Sequence, residues 1–180
     1  MFSCKNCGRS IDTHAFPLSD ATSSGSCKNC KRQEYISKGI VKPDEMFVIG
    51  INGFRLRKWS ESDPPYIVKS VLGIGNYFSI ISLKRLEAIN DGYEDRQYII
   101  KENKSCVSTS SFRDGKLSGI SGFIYSNADF WNLPASLGSD FKFVHNPTAT
   151  PDIKIQQGWM PIGQEYWMEE DKLRDKKYSG

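Results

Sequence analysis

The chain has 180 residues and a composition close to the globular average, which allows one ordinary domain and a small additional module but not two large domains. Lysine and arginine exceed aspartate and glutamate by 24 − 21 = 3, too small an excess to identify a nucleic-acid partner by itself. No apolar run reaches the roughly 18 residues of a membrane span, and the N-terminus lacks the features of a secretory signal. We therefore expect a cytoplasmic protein with no membrane partner.

The tetrapeptide CKNC occurs twice near the start of the chain, and the two copies are separated by 19 residues. This spacing is typical of a four-cysteine zinc site, in which each CxxC turn directs two thiolates toward one cation. The few apolar residues between the copies cannot hold this segment together without a metal. We therefore predict a closed, structural Zn²⁺ site; the alternative is four unconnected thiols. The predicted ligands are Cys4, Cys7, Cys27 and Cys30.

The stretch CKNCGRSIDTHAFPLSDATSSGSCKNCKRQEY combines the two cysteine pairs with an aromatic-proline step, a polar loop and a basic segment that ends in tyrosine. Over residues 1–38 it resembles the treble-clef or zinc-ribbon-like zinc knuckles of phage and mobile-element proteins. Such modules often precede HNH-type nuclease domains, whose chemistry needs clustered histidines. The chain has only His14 and His145, far apart in the sequence, so we exclude an HNH site.

A basic segment, KRQEYISKG, follows the second cysteine pair and predicts a short helix that ends at Gly39. Residues 1–38 contain six basic and three acidic side chains. We expect this module to present Lys28, Lys31 and Arg32 to nucleic-acid phosphates or to an acidic protein partner.

The remainder of the chain predicts a β-rich domain after the linker VKPDE at 41–45. A helix is predicted after Ser62-Asp63-Pro64, because four apolar residues recur at helical spacing before Gly73. The segment YFSIISLKRLEAIN suits a strand or a helical turn. The predicted strands are 46–51, which we expect to be buried, 96–101, 119–126, 140–145 and 153–155. We predict an α+β fold: a zinc-stapled module over residues 1–40 and one β-rich α+β domain over residues 41–180.

The order VIGING, YIVKSVLG, STSSFRD, ISGFIYSNADFWN and LGSDFKFVHNPTA, within residues 46–170, resembles the C-terminal half of uncharacterised bacterial proteins with restriction-endonuclease-like folds. The resemblance implies a site in which two carboxylates bind a divalent ion and a lysine orients the attacking water. The matching residues are Glu102 and Lys104, with Asp95 or Asp91 as the second acid. The alternative is a solvated turn after a strand.

Other side chains received a structural interpretation. Cys106 lacks a catalytic signature and is predicted to be a small buried residue. Five aromatic residues are suited to base stacking, but their apolar neighbours favour core or rim packing. They are Phe130, Trp131, Trp159, Tyr166 and Trp167.

These patterns favour a zinc-binding, non-catalytic protein of phage or bacterial origin that binds nucleic acid or protein. The alternative is a divalent-metal-dependent DNA nuclease of the restriction-endonuclease-like type. A pure protein-interaction module, such as an inhibitor of a host complex, is a third hypothesis.

Overall fold

The computed structural model describes residues 31–53, 63–100, 104 and 106–179, together with the backbone of residues 2–3, 10–11 and 28–30. This part of the chain holds two α-helices and eleven strands, and the α+β fold class is confirmed. None of its helices has the length and apolarity needed to cross a membrane. The helices are α1 (Lys28–Ser37) and α2 (Tyr66–Leu72); the strands are β1 (Phe2–Ser3), β2 (Ser10–Ile11), β3 (Val48–Asn52), β4 (Ile74–Ser82), β5 (Glu87–Asp95), β6 (Tyr98–Ile100), β7 (Cys106–Ser108), β8 (Gly122–Ser126), β9 (Lys142–His145), β10 (Gly163–Glu169) and β11 (Lys172–Tyr178).

A five-stranded mixed sheet in the order β11-β10-β9-β8-β3 forms the centre of the fold. The pairs β3–β8 and β9–β10 are parallel, whereas β8–β9 and β10–β11 are antiparallel. Parallel strands cannot be joined by a tight turn, and the chain between β3 and β8 accordingly contains α2 and the hairpins β4–β5 and β6–β7. The predicted strand at 46–51 is present as β3, but it is an edge strand of which only Ile51 is buried.

Helix α2 covers one face of this sheet with the apolar stripe that the sequence predicts. Its buried side chains are Ile67, Val68, Val71 and Leu72. They belong to the same core cluster as Phe112, which stacks on Phe123 of β8 with 5.0 Å between the ring centroids. Helix and sheet are therefore joined by a continuous apolar layer.

The ends of α2 agree only partly with the predicted signals. The helix ends as expected at Gly73, whose φ of 66° lies in the left-handed region that favours glycine. The predicted start, with Pro64 as the first helical residue, is two residues too early: Pro65 occupies the N-cap, the helix begins at Tyr66, and no side chain caps it. Ser62 lies outside the described residues.

The second face of the sheet is covered by the segment that follows β9. The predicted strand at 153–155 is wrong: Pro151–Ile153 forms a short 3₁₀ turn, and no strand follows before β10. Pro151 suits the first position of a helical turn and has no N–H for a strand ladder. Ile153 and Ile155 are both buried, so the apolar pattern reports burial of an irregular segment.

The ambiguous segment YFSIISLKRLEAIN is a β-hairpin. β4 and β5 pair antiparallel, and the four residues 83–86 between them form the turn. The turn is closed by a hydrogen bond of 2.7 Å from the backbone N–H of Leu86 to the carbonyl of Ser82. One tight turn therefore accounts for the helical spacing seen in the sequence, and the chain continues as a strand.

The strand predicted at 96–101 is confirmed as β6, which pairs with β7. The interpretation of Cys106 is wrong, because this cysteine is exposed. It lies at the start of β7, where the neighbouring Val107 is the buried residue. The alternation of a strand thus places Val107 inside and Cys106 outside.

A buried carboxylate fastens the segment after β9 to the sheet. Glu165 of β10 is fully buried and accepts hydrogen bonds from the backbone N–H groups of Gly158 (2.8 Å) and Met160 (2.6 Å). The same carboxylate lies 3.1 Å from Nε2 of His145, whose Nδ1 is 3.3 Å from the carbonyl oxygen of Ile155. The partners of Glu165 come from the segment it holds, from β9 and from Tyr178 of β11, whose hydroxyl hydrogen-bonds to the same carboxylate.

We predict that Glu165→Ala lowers the free energy of unfolding by about 3–5 kcal/mol, because it leaves two backbone donors and a buried imidazole without their acceptor. Urea unfolding of the purified protein measures this change. Glu169→Ala, on the same strand, is the matched control: its exposed pair with Arg174 predicts a loss below about 1 kcal/mol. Equal losses in the two variants would contradict a role for the buried network.

Candidate interaction site

The predicted zinc ligands lie mostly outside the described residues. Cys4, Cys7 and Cys27 are not described, and only the backbone of Cys30 is. β1 and β2 pair antiparallel on either side of the first cysteine pair in the sequence, with Phe2 opposite Ile11. Helix α1 begins at Lys28, within the second cysteine pair.

The predicted basic surface is partly engaged in contacts within the chain. The ammonium group of Lys31 lies 3.2 Å from the carboxylate of Glu34 and 5.0 Å from the ring centre of Tyr35. Lys38 contacts the same carboxylate at 2.6 Å. Hydrogen bonds from Lys38 and Lys31 hold the pKa of Glu34 below its ordinary value. Glu34 thus offsets much of the charge that these lysines would present to phosphates.

Arg32 has a different environment from the one the sequence suggests. Its side chain is only 6% exposed, and its Nη2 donates a hydrogen bond of 2.7 Å to the carbonyl oxygen of Pro43 in the segment 41–45. Because the Arg32 side chain is buried, a phosphate contact requires this guanidinium to become exposed. The side chain of Lys28 lies outside the described residues, and its role stays a prediction.

The candidate nuclease residues are not brought together in the part of the chain that the structure describes. Asp95 pairs with Arg113 at 3.2 Å and accepts a hydrogen bond from Gln97. Lys104 is exposed, and Glu102 lies outside the described residues. Among the residues with described side chains, no three of the types His, Cys, Asp and Glu are grouped so that they could hold a metal ion. The nuclease alternative therefore stays a prediction from the sequence.

His145 and Glu165 are a buried pair of the kind found in some active sites, but their surroundings leave no reactive atom free. Both ring nitrogens of His145 face acceptor oxygens, those of Glu165 and Ile155. The ring also packs edge-on against Phe143, with 4.8 Å between centroids. Protein atoms therefore occupy both ring nitrogens, and we assign the pair to structure.

Two adjacent aromatic side chains stand out on the surface between β8 and β9. Phe130 and Trp131 are 81% and 82% exposed, and their rings pack edge to face with 5.1 Å between centroids. The expectation that they pack in the core or at its rim is wrong. Of the other aromatic residues in that prediction, Tyr166 is buried and Trp167 is half-buried, as expected for packing, and Trp159, 44% exposed, packs at the rim against Phe143 with 5.0 Å between ring centroids.

This aromatic turn, residues 127–133, is held by side-chain hydrogen bonds to its own backbone. Oδ1 of Asp129 accepts from the backbone N–H groups of Trp131 (2.7 Å) and Asn132 (3.0 Å). In return, Oδ1 of Asn132 accepts from the backbone N–H of Asp129, and its Nδ2 donates to the carbonyl of Asn127. Such reciprocal bonds are typical of Asp and Asn in turns. They fix the backbone that carries the aromatic pair.

The sheet anchors the base of the aromatic turn. Nδ2 of Asn52, at the end of β3, donates a hydrogen bond of 3.0 Å to the carbonyl of Ala128, whose own N–H donates to Oγ of Ser126 at 3.0 Å. The Ser126 hydroxyl donates to the carboxylate of Asp140. The turn is therefore connected to two neighbouring strands and to the segment that leads into β9.

The sequence segment that carries the aromatic turn contains acidic but no basic side chains. No lysine or arginine occurs in the sequence between Lys116 and Lys142, whereas Asp129 and Asp140 do. Leu133 and Leu137, which follow the aromatic pair, are 72% and 90% exposed. This segment thus combines exposed apolar side chains with acidic ones, a composition suited to a protein surface.

Comparisons with protein-family models, with curated proteins and with solved structures found no match to this chain.

Sequence reasoning identified the aromatic pair but misjudged its exposure. The flanking pattern NADFWN carries a usable signal, because Asp and Asn on both sides of two aromatic residues favour a turn over a strand. A turn places its side chains at the surface unless other segments cover them.

Proposed function

We propose that the chain is a zinc-stabilised, non-catalytic binding protein that engages a protein partner through its aromatic turn. The observation that carries the proposal is the exposure of Phe130 and Trp131 on a backbone fixed by hydrogen bonds. Exposed aromatic pairs cost solvation in a free protein and are enriched at the energetic centres of interfaces. A turn that is ordered before binding also loses little conformational entropy when a partner seats on it.

A protein partner is favoured over nucleic acid by electrostatics. Binding to a phosphate backbone depends on lysine and arginine, and the sequence around the aromatic turn lacks both between Lys116 and Lys142. On the surface of α1 that the sequence predicts to bind phosphates, Lys31 forms an ion pair with Glu34, and Arg32 donates a hydrogen bond to the carbonyl oxygen of Pro43. The fitting partner has an apolar pocket for the two rings and a rim that tolerates the carboxylates beside them.

The zinc site is the second part of this proposal. Cys4, Cys7, Cys27 and Cys30 are its ligands by sequence spacing, in a module over residues 1–40 ahead of the domain over residues 41–180. Support comes from the β1–β2 pairing around the first cysteine pair and from the start of α1 within the second. A cytoplasmic, reducing location fits a thiolate metal site better than a disulfide framework.

We predict one zinc ion per chain by elemental analysis of protein purified without chelator. Cys27→Ser removes one thiolate, so it should release the metal and unfold the N-terminal module, because metal binding supplies the folding energy of such modules. Cys106→Ser is the matched control, since this exposed cysteine lies in β7 and should leave the zinc content unchanged. Protein without zinc, or equal metal loss in both variants, would show that the proposed ligands are wrong.

We predict that Trp131→Ser or Phe130→Ser weakens partner capture from host lysate by about 30-fold, the effect of losing roughly 2 kcal/mol at an interface centre. Tyr98→Ser is the control, because Tyr98 is an aromatic residue 60% exposed on β6, away from the turn. Quantitative mass spectrometry of the captured proteins measures the difference.

Nuclease treatment of the lysate separates protein from nucleic-acid binding. Capture that survives treatment and depends on Trp131 supports the proposal. Capture that disappears with nuclease, and that falls with salt by about 0.9 log unit per tenfold salt for each phosphate contacted, would instead establish nucleic-acid binding.

A further inference from the structure

The β4–β5 hairpin has two strand edges of very different character. β4 (Ile74–Ser82) contains no charged residue, whereas β5 (Glu87–Asp95) contains four acidic residues. Within the described residues neither strand pairs with any strand other than its hairpin neighbour. Proteins usually protect an open edge with charged side chains, proline or a bulge. β5 has both acidic side chains and a bulge at Ile89, and β4 has no such protection between Tyr77 and Ser82.

The open edge of β4 also carries exposed apolar side chains on both faces of the hairpin. Tyr77 and Ile81 lie on one face and are 55% and 57% exposed. On the other face, Ile80 is 50% exposed and Phe78 is half-buried over Gly92. Successive residues of a strand point to opposite faces, so the side chains of an added strand can contact the apolar side chains of β4 on both faces of the hairpin.

We propose that β4 pairs antiparallel with β4 of a second copy of this chain, which joins the two hairpins into one four-stranded sheet across a two-fold axis. A register centred on Ser79 places Tyr77 opposite Ile81 of the second copy, and Phe78 opposite Ile80 of the second copy. These are aromatic and β-branched cross-strand pairs, a favourable combination. Two-fold symmetry forms each pair twice. This inference does not depend on the proposed function.

Charge complementarity identifies a second copy as the occupant. In the register centred on Ser79, Ser82 lies opposite Asn76 of the other copy, so the turn that carries Lys84 and Arg85 lies at the end of the sheet where the other copy has Ile74. Ile74 is the ladder neighbour of Asp95, and Glu94 precedes Asp95 on β5. The basic turn of each copy therefore lies at the same end of the four-stranded sheet as the acidic end of the other hairpin, where Glu94 adds to the charge that Arg113 offsets at Asp95. Pairing through β5 would instead bring acidic strands together, which is unfavourable.

The interface is small, since it consists of one strand pair and the side chains around it. Stable complexes usually bury about 1,200–2,000 Å² in total. We therefore expect a dimer that dissociates on dilution. Sedimentation velocity over a range of concentrations should show the mass rising from 20.4 kDa toward twice that value.

A pair of matched variants tests whether the two copies pair through β4 and not through β5. Ile81→Lys should raise the dimer dissociation constant roughly tenfold, because symmetry places the new charge opposite Tyr77 at two positions. Ile89→Lys introduces the same charge on β5 of the same hairpin and should have little effect. A protein that is monomeric at every concentration, or a dimer weakened equally by both substitutions, would overturn the proposal.

Cross-linking tests the register and does not rely on a destabilising change. In the Cys106→Ser background, Ser79→Cys should form a disulfide between the two copies under mild oxidation. The two residues at position 79 face each other across the two-fold axis, within the Cα separation that a disulfide allows. Asn90→Cys, on β5, should not form this disulfide, because three strand spacings of about 4.8 Å separate the two β5 strands. Absence of the Ser79→Cys cross-link, or equal cross-linking at Asn90→Cys, would refute the pairing.

Discussion

The position of one buried carboxylate decides how the second face of the sheet is closed. Glu165 has no exposure to solvent, so its charge must be compensated inside the protein. Two backbone N–H groups and His145 provide that compensation. Because the donors belong to Gly158 and Met160, the irregular segment before β10 can lie over Phe143 without becoming a strand. Apolar burial alone would not specify the path of this segment; the hydrogen bonds do.

The start of β10 connects this constraint to the aromatic turn. Gly163 has a φ of 103°, and a Cβ at this position would lie 2.6 Å from the carbonyl oxygen of Phe141. The close approach allows the backbone N–H of Gln164 to bond to the same carbonyl at 2.9 Å. Phe141 follows Asp140, which receives the Ser126 hydroxyl at the base of the turn. The exposed aromatic pair is thus connected by hydrogen bonds to the part of the sheet that Glu165 stabilises.

The sequence predicts correctly those elements whose buried residues recur at the regular spacing of a helix or a strand. The stripe of α2 is readable because all of its buried residues face one neighbour. β11 was not predicted: six of its seven residues, KLRDKKY, are polar, charged or half-exposed aromatic, and its strand form depends on pairing with β10. The exposure of Phe130 and Trp131 is not predicted for a related reason: burial of a side chain depends on which segments distant in the sequence pack against it. Nothing local distinguishes the buried Glu165 from the exposed Glu169.

The two exposed apolar surfaces, the edge of β4 and the aromatic turn, differ in the kind of contact that they offer to a partner. The edge of β4 offers unpaired backbone groups and can be completed by another strand, whereas the aromatic turn has satisfied its own backbone and offers only side chains. The first favours a copy with the same edge, and the second favours a pocket of a different shape. A dimer formed through β4 would carry two aromatic turns. When both turns bind one multivalent partner, the second contact becomes intramolecular, and avidity can exceed the single affinity by about 10²–10⁴ if the geometry permits both contacts. Weak self-association would then control the strength of partner binding through protein concentration.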